Sequence, residues 1–271
     1  MFRSIVFLGL IIGLTGINQA RGERIHIAVA SNFTATMKQL VAEFESSTGH
    51  QVSVSYGSSG KFYAQILHGA PYVMFFSADQ DKVDELIDKQ MTVKGSQFTY
   101  AIGRLALWSN KSGHDIPSAE TLARAGFNKI AIANPKLAPY GAAAAQVIES
   151  LELTQALENK IVRGENIGQT YQFVSTGNVD FGFVALAQLL ANVRRTVGDY
   201  WLVPDELHHP IKQDAVLLKK GESSEAAQAF LSFMKSAQAV DIIESFGYQS
   251  DKNYEGSLVN LDAKAEGRTT L

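Results

Sequence analysis

Ile25-His26-Ile27-Ala28-Val29-Ala30-Ser31-Asn32-Phe33 decides the fold. An apolar run of strand length ends in two small hydrogen-bonding residues. The next stretch carries Met37, Leu40, Val41 and Phe44 at i, i+3, i+4, i+7 spacing, which predicts a helix with one buried face. Gly49 stands where such a helix should stop. The same unit recurs three times. Val52–Val54 leads through Tyr56-Gly57-Ser58-Ser59-Gly60 into Lys61–Leu67. Ile130–Ala133 leads through Asn134 to Gly141 into Ala142–Leu151. A weaker copy runs from Ile161-Val162 through Glu165-Asn166-Ile167-Gly168 into Gln169–Val174.

Strand–loop–helix alternation implies mostly parallel sheets with helices on their faces. Ligands in such sheets sit beyond the carboxyl ends of the strands. Each helix start there exposes unpaired N–H groups and the positive end of a dipole. Several starts converging on one point form an anion site without a charged side chain. The expected ligand is a small oxyanion.

Phe98–Trp108 is long for one strand, and Ile211–Leu218 is a second extended candidate far along the chain. Two strand–loop–helix units lie between them. This predicts a lobe inserted into another lobe, with two extended crossings as the hinge. Lobe 1 is expected over residues 23–103 plus 213–252, and lobe 2 over 104–212. Residues 253–271 form a polar tail, and 1–22 read as a signal peptide: Arg3, then an apolar core at Ile5–Leu14, then small residues.

There are no cysteines, which removes disulfides, thiolate metal sites, a thiol nucleophile and a lipid-modified cysteine at the signal junction. An exported chain of this kind is expected in the soluble periplasm. The net charge is −3 with both signs interspersed, so no nucleic-acid footprint is expected. The six histidines show no H-x-x-x-H spacing. Ser59 lacks a G-x-S-x-G context, because Lys61 holds the last position. An enzyme is therefore not expected, and no cofactor is implied.

The donors at the predicted strand ends are few. Ser31 and Asn32 can offer a hydroxyl, an amide and backbone N–H groups, and each is also an ordinary helix cap. In Gly57–Gly60 the glycines allow close backbone approach and the serines supply hydroxyls. Pro139-Tyr140-Gly141 presents a phenol before an alanine run, and Ile167 can present a backbone N–H from a fourth loop.

The segments AVASNFTATMKQL, VSYGSSGKFYAQI, HGAPYVMFFSADQDKVDEL, FTYAIGRLALWSN, IANPKLAPYG and NVDFGFVALAQL together resemble the periplasmic molybdate-binding proteins of ABC transporters. They span most of Ile25–Tyr248 in the order of that family. The resemblance implies the two-lobed class II periplasmic binding protein fold, with the ligand cleft between lobes. It implies molybdate, and also tungstate, as ligand, an ABC permease as partner, and a monomer. It assigns Ser31, Asn32 and Ser59 from lobe 1, and Tyr140 and the backbone of Ile167 from lobe 2. Two positions depart from the pattern. Ala185 stands where many members have a ligand tyrosine, and Gly69-Ala70-Pro71-Tyr72-Val73 lacks the usual aspartate. Both belong with the branch reading T-N and A-P-Y, in which Tyr140 would replace the missing phenol. Sulfate, thiosulfate or phosphate binding is the alternative in the same class. A two-lobed enzyme or a sensing or adhesion module would be the alternative in another.

Overall fold

The computed structural model describes residues 22–113, 117–191 and 197–250, so the expected leader (save Gly22) and the polar tail lie outside the described residues. Strand β1 (Arg24–Ala30) is buried on both faces from Ile27 to Ala30, as a central parallel strand must be. It pairs in parallel with β2 (Gln51–Gly57) on one side and β3 (Met74–Phe76) on the other. A single 3₁₀ turn, Ser31–Phe33, leads into helix α1 (Thr34–Thr48). Its Met37, Leu40 and Phe44 are buried, each contributing roughly 1.5–3 kcal/mol. Gly49 ends it at φ 74°, a left-handed cap that suits glycine. Helices α2 (Ser59–Leu67) and α3 (Asp81–Asp88) complete this part of lobe 1.

The long apolar stretch from Phe98 is two strands, not one. β4 (Phe98–Gly103) belongs to the first sheet and β5 (Leu105–Ser109) to the second, so the chain changes lobe at Arg104. The second lobe continues with α4 (Ala119–Arg124), β6 (Ile130–Ala133), α5 (Pro139–Ser150), α6 (Thr154–Leu157) and β7 (Ile161–Gly164). Then come α7 (Ile167–Ser175), β8 (Phe181–Ala185), α8 (Leu186–Leu190) and β9 (Asp199–Leu202). Strand β10 (Ile211–Leu217) returns to the first sheet and is followed by α9 (Glu225–Met234) and α10 (Ala237–Ser245). The apolar pattern over 222–246 thus divides in two, because Ser236 caps α10 by accepting the Ala239 N–H.

The strand orders are β2-β1-β3-β10-β4 and β7-β6-β8-β5-β9. In each sheet four strands run one way and one is reversed: β10 in the first, β5 in the second. The reversed strand in each case follows a crossing between the lobes. An isolated bridge between Ile102 and Gln249 adds a third tie close to the hinge. The apolar cluster of lobe 2 reaches across the cleft to Ala30 and Ala78, small residues just beyond the ends of β1 and β3.

Candidate functional site

Four helix starts face one small cavity between the lobes. The cavity is lined by Ser31 and Asn32 ahead of α1, Ser58 and Ser59 at α2, Pro139 and Tyr140 at α5, and Asn166 and Ile167 at α7. All five residues singled out from the sequence (Ser31, Asn32, Ser59, Tyr140, Ile167) are therefore brought together. The helices begin earlier than their periodicity suggests. Pro139 occupies the first position of α5, where its missing N–H costs nothing, so Tyr140 and Gly141 lie in the first turn and not in a loop. Likewise Ile167 and Gly168 open α7, and Asn166 caps it by accepting the Gln169 N–H.

Among the described residues, none that lines the cavity carries a charge. The cavity is small, with a volume of about 10 Å³. Pockets for organic ligands run to roughly 300–1,000 Å³, so this one suits an ion of a few heavy atoms. Among the described residues no group of three or more His, Asp or Glu side chains is placed to hold a metal ion.

Bonds across the cleft hold the lobes closed around it. The Gly168 N–H donates to Ser31 Oγ at 3.3 Å. The Gly60 N–H donates to the Leu137 carbonyl at 2.9 Å. Lys61 pairs with Glu165 at 2.6 Å on the rim, with both side chains 46% exposed. A pair that exposed contributes about 0–1 kcal/mol and is screened by salt, so Lys61 is a rim contact and no anion ligand.

The hydroxyls are oriented by what they already accept. Ser31 Oγ takes the Gly168 N–H, and Ser59 Oγ takes the Ala78 N–H at 2.9 Å. Each keeps its own proton for another acceptor. Ser59→Ala is expected to weaken oxyanion binding by about 1–3 kcal/mol, roughly tenfold or more. The melting temperature of the ligand-free protein should change little. Titration calorimetry beside a thermal melt checks both, and a large loss of apo stability would mark Ser59 as a structural turn residue instead.

The Asn32 side chain is engaged within the protein. Its Nδ2 donates to Gln213 Oε1 at 2.7 Å and to Tyr248 Oη at 3.1 Å, which uses both amide hydrogens. Tyr248 returns its proton to the Asn32 carbonyl at 3.0 Å. The network assigns these amide orientations. What Asn32 can still offer an oxyanion is its backbone N–H.

Gln213 is the centre of this network. It is fully buried at a register shift in β10. Its Oε1 also accepts from Tyr100 at 3.0 Å, and its Nε2 donates to Tyr140 Oη at 3.3 Å. The Tyr140 oxygen is thus an acceptor toward Gln213, and its hydroxyl also lies within hydrogen-bond reach of Asn32 and Tyr248 at the cavity wall. Burial, and then the neighbouring Tyr248, push the Tyr140 pKa well above the ordinary phenol value. The phenol therefore stays a proton donor through the neutral range. Tyr140→Phe keeps the aromatic wall and deletes the donor, so it should cost roughly 1–3 kcal/mol of oxyanion affinity. Wild-type affinity should be flat from about pH 6 to about pH 9, because no lining group titrates there. Calorimetry across that range tests both, and unchanged binding by the Phe variant would make Tyr140 a packing residue.

Ala185 is fully buried in the apolar cluster that contains Tyr140 and is not among the cavity-lining residues. Its N–H donates to Gln188 Oε1, whose Nε2 donates to the Ile167 carbonyl at 3.2 Å, tying the end of β8 to the start of α7. Gln213, Tyr248 and Gln188 carried no signal in the sequence. They approach the site from 181, 216 and 21 residues away along the chain.

Two lobes, each with helix starts turned to a shared cleft, define a solute-binding protein. The chain matches the model of the bacterial extracellular solute-binding protein family over residues 25–249, and it belongs to that family. It is 46% identical over 229 residues to the molybdate-binding protein of Azotobacter vinelandii, covering 84% of this chain and 91% of that one. Identity to the molybdate-binding protein of Rhodobacter capsulatus is 43% over 244 residues, covering 90% and 94%. The solved periplasmic molybdate-binding protein of A. vinelandii superposes with a TM-score of 0.80 at 42% identity, over 83% of this chain and 99% of that structure.

Proposed function

We propose that this protein is exported to the periplasm, captures molybdate in the cleft, and delivers it to an ABC permease as a monomer without a lipid anchor. Tungstate, of nearly the same size and charge, is taken as well. Residues 23–103 with 213–252 and residues 104–212 act as the two bodies that close. The observation that carries this reading is the uncharged cavity with four helix starts and a ring of hydroxyls drawn from both lobes. The relatives at 46% and 43% identity are molybdate-binding proteins, which supports molybdate in particular.

Closure supplies the mechanism. Neutral donors hold a dianion by hydrogen bonds to a charged acceptor, each worth roughly 1.5–3 kcal/mol. Some five to seven of them, less the ordering and closure costs, give a Kd between about nanomolar and micromolar. A buried lysine or arginine would add attraction but slow release to the transporter. Native mass spectrometry of the protein purified in the presence of molybdate is expected to show one ion per chain. Protein that stays ion-free under those conditions would refute the assignment.

A further inference from the structure

Ser58 is the cap residue of α2, with extended backbone at φ −83° and ψ 146°. A serine there normally accepts the N–H of the second or third helical residue, here Gly60 or Lys61. Such side-chain caps are made at α4 by Ser118, at α7 by Asn166, at α9 by Ser224 and at α10 by Ser236. Ser58 makes none. Its residue is only 2% exposed, and its Oγ has no hydrogen-bond partner among the described residues. A buried hydroxyl left in that condition is costly and needs a reason.

The reason lies across the cleft. The Gly60 N–H that Ser58 would cap donates instead to the Leu137 carbonyl of lobe 2 at 2.9 Å. Gly60 permits this approach: a Cβ there would stand 3.1 Å from Leu137 Cα and 3.2 Å from its carbonyl oxygen. The lobe-2 backbone has taken over the capping of α2. Ser58 meanwhile lines the same cavity as Ser31, Ser59 and Tyr140.

We infer that the Ser58 hydroxyl is a further donor to the bound oxyanion, released from capping α2 when the Leu137 carbonyl takes the Gly60 N–H. The inference rests on the oxyanion reading above. A capping serine must hold its oxygen against the helix N–H groups. Relieved of that, the side chain is free to adopt the rotamer that serves the ion. Lobe closure and ligand contact are thereby coupled at one residue, because the hydroxyl becomes available only once the lobes meet.

Calorimetric titration with molybdate of the wild type, Ser58→Ala and Ser58→Gly tests this, with thermal melts of the ligand-free proteins beside it. Both variants lose the donor, so both should bind about tenfold or more weakly. A mere helix cap behaves differently, since glycine replaces serine there with little penalty and alanine does not. Binding at wild-type strength by both variants overturns the inference. So does a loss with alanine that glycine restores in affinity and melting temperature together. Wild-type protein that ignores molybdate and tungstate alike removes the oxyanion reading, and this inference falls with it.

Discussion

Sulfate is expected to bind at least a hundredfold more weakly than molybdate, a difference of about 2.7 kcal/mol. Both ions are tetrahedral dianions, so charge does not separate them, and size must. The donors are fixed to the starts of helices on two lobes, and the lobes are already in contact. Gly60 lies against the Leu137 backbone so closely that even a Cβ would crowd it, and the Gly168 N–H is bonded to Ser31 Oγ. The cavity therefore cannot shrink around a smaller ion. Sulfate can satisfy the donors of one lobe but leaves those of the other stretched or unpaired, at roughly 1–3 kcal/mol for each such group. Tungstate should bind within a few-fold of molybdate. Calorimetry with all three ions under one set of conditions decides the matter. Sulfate within about tenfold of molybdate would show that the walls yield, and that selection lies elsewhere.

Gly141→Ala should destabilise the protein by about 3 kcal/mol or more, and weaken molybdate binding with it. Gly141 lies in the first turn of α5, directly over the end of β6. A Cβ there would stand 2.2 Å from the Ala133 carbonyl oxygen and 2.6 Å from its carbon. Both are backbone atoms held in the sheet, so the helix start must lift. Pro139 and Tyr140 would lift with it, and they form one wall of the cavity. At about 2–4 °C per kcal/mol for a chain of this size, the melting temperature should fall by roughly 6–12 °C. Gly126→Ala is the control, since nothing lies within 4 Å of a Cβ there and its φ is not left-handed. Equal melting temperatures for the two variants would refute the close-packing explanation.

Gly141 also shows where sequence reasoning stops. The small residues after Tyr140 are readable as a helix approaching either a ligand or a sheet, and in the fold Gly141 of α5 packs against the end of β6. The same division runs through the rest of the site. Gly57-Ser58-Ser59-Gly60 announces a donor-rich helix start, and there the family resemblance singles out Ser59 alone. The structure adds what the motif does not show: Ser59 Oγ accepts the Ala78 N–H, while Ser58 Oγ has no partner among the described residues. Asn32 reads as a ligand donor, but its amide hydrogens are engaged by Gln213 and Tyr248.

Features that depend on neighbours along the chain are legible in the amino-acid order. Apolar periodicity, small polar residues after each strand and glycine stops are local, and they specify strand, turn and helix in order. Four repetitions of that order were enough to imply mostly parallel sheets and a ligand at the strand ends. Tertiary structure alone decided which groups meet. Phe98–Trp108 is one apolar run, but Arg104 divides it because the lobes need a crossing there. Leu137 caps a helix 77 positions before it, and Gln213 bridges Asn32 and Tyr140 across the hinge. Such pairings follow from how two sheets are folded against each other, and no residue's type or spacing encodes the partner it finds across a cleft.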